Sequence, residues 1–168
     1  MDESAEGSLG RSAWRQTLLV AVALLACPAV YVIMAVILLH VGFQPPEITI
    51  DRQVLSFLFP AALSVSVMLF LIAKMLQTKL LSPRYVTRHC DGVNSAARHY
   101  IRISMLCMGM AETAGVLGLV YFILTLDMLK LIVLVAMSVL FGMLVFPSRT
   151  KLEDLLQTVK DSGSDEQC

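Results

Sequence analysis

Four apolar runs, each long enough to cross a bilayer, dominate this chain. Thr17–Val41 holds 25 residues without an acid, Lys or Arg. Val54–Ala73 holds 20, Ile103–Leu126 holds 24 and Met128–Phe146 holds 19. A spanning helix needs roughly 20 mostly apolar residues. Hydrocarbon offers no water to backbone N–H and C=O groups, so each isolated run must close its hydrogen bonds within itself. The α-helix does this, and no strand-like alternation competes with it. The expected fold is an all-α membrane protein: four transmembrane helices in an antiparallel bundle over 17–41, 54–73, 103–126 and 128–146.

Charge placement orients the bundle. Charged residues make up 15% of the chain and gather between the apolar runs. Arg11 and Arg15 precede the first run. Lys74, Lys79, Arg84, Arg88, Arg98 and Arg102 fill the middle connection, and Arg149, Lys151 and Lys160 follow the last run. Only Arg52 and Lys130 sit in the other two connections. Basic residues stay on the cytoplasmic side, so both termini and the middle loop are expected there. The natural location is the inner membrane of a bacterial cell, as a multi-pass protein. Trp14 and Tyr100 fall at the cytoplasmic helix ends, where amphipathic rings favour the interface. A formal net charge of zero gives no reason to expect nucleic acid.

The 168 residues suit one domain, 1–161. Gly42–Gln53 is a short outer loop carrying Pro45, Pro46, Glu47 and Asp51. The turn at 125–130 is tight, which makes the last two spans antiparallel neighbours. Gln77–His99 is the longest soluble stretch, broken at Ser82-Pro83, with a short interfacial helix expected over Tyr85–Tyr100. Leu152, Leu155, Leu156 and Val159 recur at i, i+3, i+4 and i+7, marking an amphipathic cytoplasmic helix over 149–161. Residues 162–168 read as a disordered tail. Leu24-Leu-Ala-Cys27 loosely resembles a lipoprotein cleavage box. Pro28 and 13 further apolar residues argue instead for an uncleaved span. Cys27, Cys90, Cys107 and Cys168 form no CxxC pair, and neither membrane nor cytoplasm favours a disulfide.

Glu112 is the one acid inside any of these runs. A charge at the bilayer centre costs roughly 2.5–3.5 kcal/mol on insertion scales. Glu112 lies ten residues beyond Arg102, so about 15 Å deep, near the midplane. The same bookkeeping puts Ser64 and Ser66 of the second span, Ser138 of the fourth and Cys27 of the first near that level. The three serines are the candidate partners of Glu112. No Lys or Arg lies at this depth, so Glu112 is expected to be neutral unless a cation or a partner subunit reaches it. Gly109, Ala111, Ala114, Gly115 and Gly118 surround it, and small residues at i, i+4 let another backbone approach closely. That surface serves either the internal bundle or an identical partner. The carboxyl itself serves as a proton or cation site, as a protonated packing group or as an intersubunit contact.

Ala111-Glu112-Thr113-Ala114-Gly115-Val116-Leu117-Gly118-Leu119-Val120 resembles the ion-carrying helix of the proteolipid c subunits of rotary ATP synthases. That helix reads Ala-Glu, small residues, an aliphatic and a spacer, then Gly-Leu-Val. The resemblance implies that Glu112 is the ion carboxylate and Gly118 a close-packing position. It is confined to this helix: Val54–Ala73 holds no glycine, and Gln77–His99 holds no Arg-Gln-Pro.

Other clusters carry less chemistry. Met105, Cys107, Met108 and Met110 suit apolar filling better than a Cu(I) set. His89, Cys90, Asp91 and His99 match no structural zinc spacing. Without a nucleophile elbow, phosphate loop or HExxH, the chain is expected to be non-enzymatic and to need no metal or cofactor. Its expected partners are the lipid bilayer and either a homo-oligomer or a larger membrane complex. The function that follows is reversible proton or cation binding at Glu112. The alternative is a structural, assembly or accessory subunit, docking through the cytoplasmic loop and the 149–161 helix, in which Glu112 only helps packing.

Overall fold

The computed structural model describes residues 3–44, 52–90 and 92–165. These fold into helices α1 (Glu3–His40), α2 (Arg52–Leu80), α3 (Pro83–His89), α4 (Val93–Thr125), α5 (Met128–Val145) and α6 (Arg149–Asp165), with no strand among the described residues. Four are long and apolar enough to cross a membrane: α1, α2, α4 and α5. The expected outer loop lies mostly outside the described residues, at 45–51.

Half of the most apolar stretch of α4 is buried, against 11% for α1 and 6% for α2. So α4 is the central helix, and α1 and α2 turn most of their surface outward. Contacts fix the register. Leu134 abuts Gly118 and Ser138 approaches Gly115, so α5 runs antiparallel to α4. Phe59 meets Tyr121 edge-on and Cys107 donates to the Ala73 carbonyl at 3.3 Å, so α2 is antiparallel to α4 as well. Tyr31 packs on Gly115, while Ala35 joins Phe122, Leu131 and Val135 in one apolar cluster. Thus α1 is parallel to α4 and antiparallel to α5.

The turn between α4 and α5 needs only Leu126 and Asp127. Leu126 adopts a left-handed conformation (φ 54°) and its N–H caps the Phe122 carbonyl. Asp127 Oδ1 accepts from the Lys130 N–H at 3.2 Å, as an N-cap does. Its Oδ2 also pairs with Lys130 Nζ at 3.1 Å, and that ammonium donates to Tyr121 at 2.9 Å. Partial burial pushes the Asp127 carboxyl up, but the hydrogen bonds and charge of Lys130 outweigh this and hold it below its ordinary value. A depressed carboxyl contributes stability above its unfolded value, which is lost as pH falls through the folded value. Asp127→Ala is therefore expected to cost about 1 kcal/mol near neutrality. The gap between variant and parent should begin to narrow below about pH 4 in thermal melts, as pH falls toward the depressed folded value.

At the opposite end, α5 stops at Val145, and its last carbonyls need donors. Side chains of α2 supply them: Lys74 Nζ donates to Leu144 at 3.1 Å and Gln77 Nε2 to Val145 at 3.3 Å. The Tyr100 hydroxyl donates to the Ser148 carbonyl at 2.9 Å and accepts its N–H at 3.0 Å. Tyr100 is therefore a buried clamp, 1% exposed, and not the interfacial ring its position suggests.

The middle connection differs most from expectation. Gln77–Leu80 continues α2, and α4 begins at Val93, about ten residues before its apolar run. Once nucleated, a helix extends through polar residues at little cost. The expected Tyr85–Tyr100 helix is split between α3 and α4, because Gly92 takes φ 88°. Near this end Leu155 and Val159 of α6 pack with Val86, Cys90 and Ala96, and Leu156 leans on the same cluster. The apolar face of α6 is thus covered by the chain itself. Helix α6 also runs through Asp165, beyond the expected stop at 161. Polar residues extend a docked helix readily, and helix ends vary by a residue or two. Residues 166–168 of the expected tail lie outside the described residues.

Candidate functional site

The apolar length of α4 carries Glu112 to the middle of the helix assembly, where it is 7% exposed. Its Oε2 is buried and has no hydrogen-bond partner, and the same holds for Ser138 Oγ on α5. Ser138 Oγ is the side-chain oxygen brought up to the Glu112 carboxyl, at the margin of hydrogen-bond geometry. Such buried, unpaired polar atoms each cost about 1–3 kcal/mol. Ser104 Oγ, eight residues before Glu112 on α4, is a third such atom among the described residues.

The third wall is Tyr31 of α1. Glycine at 115, one turn beyond Glu112, makes its approach possible. A Cβ there would lie 2.8 Å from Tyr31 Cε2 and 3.4 Å from Ser138 Oγ. Glu112 and Cys27 are neighbours of the Tyr31 phenol. Cys27 itself donates to Ala23 at 3.5 Å within its own helix. By the register of α1 against α4, Pro28 falls at the level of Glu112. Proline lacks an N–H, so Pro28 releases the Leu24 carbonyl from the helix ladder near this depth.

The predicted partners fare differently. Ser138 joins the site. Ser66 is buried on α2, but its hydroxyl donates to Ala62 at 2.7 Å and its proton is spent there. Ser64 is exposed and donates to Pro60 at 2.8 Å. Depth arithmetic places both serines at the right level but says nothing of azimuth. Two residues apart on a helix point about 200° apart, so both cannot face α4. The residue that sequence reasoning missed is Tyr31. Its signal was available: it is the one Tyr inside the first apolar run.

The small residues divide the same way. Ala111 and Ala114 are 1% exposed, and Gly115 and Gly118 are buried. A Cβ on Gly118 would lie 2.9 Å from Leu134 Cβ, an atom that cannot swing away. Gly109 was expected to share this surface, yet it is exposed with nothing within 4 Å of an added Cβ. Six residues before 115, it sits on another side of the helix. The close-packing surface therefore serves α1 and α5 of the same chain. Gly118→Val is expected to cost about 1–3 kcal/mol through overpacking. Gly109→Ala should be neutral or slightly stabilising. Thermal unfolding of the two variants side by side checks the contrast.

Sulfur and histidine side chains have local tasks. Cys107 and Met110 pack with Ala73, Ile103 and Val145. His99 Nε2 bonds the Leu80 carbonyl at 3.1 Å and its ring stacks on Tyr85. Cys90 belongs to the α3–α6 cluster. Asp91 lies outside the described residues.

The chemistry open to Glu112, Ser138 and Tyr31 is therefore narrow. One carboxyl, one hydroxyl and one phenol can hold and pass a proton, and they offer few oxygens with which to replace the hydration shell of a metal ion. Comparison with protein-family models, curated proteins and solved structures finds no match to this chain.

Proposed function

We propose that this chain is a non-enzymatic, multi-pass membrane protein whose Glu112 carboxyl reversibly binds a proton. The observation that carries the reading is the facing pair of buried, unpartnered oxygens, Glu112 Oε2 and Ser138 Oγ. A group kept only for packing should be hydrogen-bonded. The likeness of residues 111–120 to the ion-carrying helix of c subunits supports the same role. A proton fits better than Na⁺, because four side-chain oxygens, one of them a phenol, are too few to stand in for a hydration shell.

The helices assemble as an antiparallel bundle in a bacterial inner membrane, with both termini and the α2–α4 connection in the cytoplasm. The 11 Lys and Arg residues grouped with those segments support this orientation. The accessory-subunit alternative has lost one of its surfaces, since α6 spends its apolar face on α3 and its neighbours.

A hydrophobic carbodiimide tests the proton site, because it reacts with a protonated carboxyl in an apolar setting. Modification mapped to Glu112, declining at alkaline pH and insensitive to Na⁺, is the expected result. Protection by Na⁺ would replace the proton with a cation. An unmodified Glu112 across the pH range would sink the proposal. Glu112→Gln serves as the control and should abolish the label.

A further inference from the structure

Where α2 meets α3, a groove of about 410 Å³ opens between Thr78, Lys79, Ser82, Arg84, Tyr85 and Arg88. Three of its six lining residues are cationic and none is acidic. Among the described residues, no ion pair involves Lys79, Arg84 or Arg88. Two of the three hydroxyls are already committed: Thr78 donates to Lys74 at 2.8 Å and Ser82 to Lys79 at 2.8 Å. The charged donors offered to a ligand are one ammonium and two guanidiniums, with Arg84 and Arg88 one turn apart on α3. That set suits a phosphate, whose oxygens accept from several charged donors at once.

The surroundings say which phosphate. Lys79 lies on the face of α2 that also carries Met68, Ile72 and Met75, which are 64%, 37% and 56% exposed. These residues recur at helical spacing, so one apolar stripe leads straight into the basic groove. A molecule with a phosphate at one end and acyl chains at the other matches both halves. We infer that the groove binds the headgroup phosphate of an anionic phospholipid, with its chains lying along Met68, Ile72 and Met75 of α2.

Titration of phosphatidylglycerol into the full-length protein in mild detergent, read by native mass spectrometry, tests this. Each cation near an anionic surface is worth about fivefold in binding. Lys79→Gln, Arg84→Gln and Arg88→Gln together should therefore weaken retention about a hundredfold. Arg98→Gln, Arg102→Gln and Lys151→Gln remove the same charge outside the groove and should leave retention within about threefold of the parent. Phosphatidylcholine should bind far more weakly than phosphatidylglycerol. Equal weakening by both triple variants, or equal retention of the two lipids, would overturn the inference. Displacement of the lipid by millimolar inorganic phosphate would assign the groove to free phosphate and overturn it too. The outcome is independent of Glu112, which lies at mid-depth on another helix.

Discussion

Glu112→Met is expected to make the protein more stable, by about 1–3 kcal/mol, while removing its carbodiimide reactivity. The sign follows from the orphaned oxygen. A buried acceptor or donor without a partner costs the folded state that much, and an apolar group of similar shape removes the cost. Methionine matches the length of glutamate and adapts to irregular space. The Glu112 side chain is already enclosed by α1, α4 and α5, so no cavity should open. Thermal unfolding in detergent or nanodiscs reads the effect as a rise of a few degrees. A fall in stability would mean that Glu112 makes a net favourable bond in the folded state. The packing reading would then displace the proton site. Proteins retain such local costs mainly where function requires them, so a stabilised but unreactive variant is the signature of a working group.

Leu155→Asp should free α6 from the rest of the chain while leaving the spans intact. Leu155 is 4% exposed, in a cluster with Val86, Cys90, Ala96 and Val159. Burying a leucine contributes roughly 1.5–3 kcal/mol, and a carboxylate cannot replace it there without a partner. Undocking α6 relieves the charge at the expense of one small cluster. Trypsin should then cut at Arg149, Lys151 and Lys160 at least about tenfold faster than in the parent. The melting of the spans should change little, since α6 touches them mainly through the start of α4. Unchanged cleavage would show that this face does not hold α6. The same substitution would act on a partner if the amphipathic face were free. Here its first effect is within the chain.

How much could be read from the chain depends on which interaction sets each feature. The four long helices were legible because apolar runs of that length close their hydrogen bonds within themselves whatever their neighbours do. The long N-terminal extension of α4 was not legible. Residues 93–102 are polar enough to pass for a loop, and they are helical through continuation of α4 and contact with α3 and α6. The candidate site was legible in depth but not in direction. Counting residues from Arg102 put Glu112, Ser66 and Ser138 at one level. Only the packing shows that Ser138 turns to the carboxyl while Ser66 bonds Ala62 and Ser64 faces outward. The sequence marks Tyr31 as the one Tyr of the first apolar run, but only the packing at Gly115, where the absence of a Cβ admits its ring, brings it to the site.

The amino-acid sequence by itself determined the four long apolar helices, the placement of a single acid midway along one apolar run and the segregation of charge to the segments between those runs. Those are consequences of transfer free energy, which acts residue by residue along the chain. The tertiary structure alone decided which helix is central, which serine meets Glu112, that the glycine face is spent internally and that α6 is covered by its own chain. Those depend on helix azimuth and on contacts between residues far apart in sequence. Local hydropathy carries no record of either.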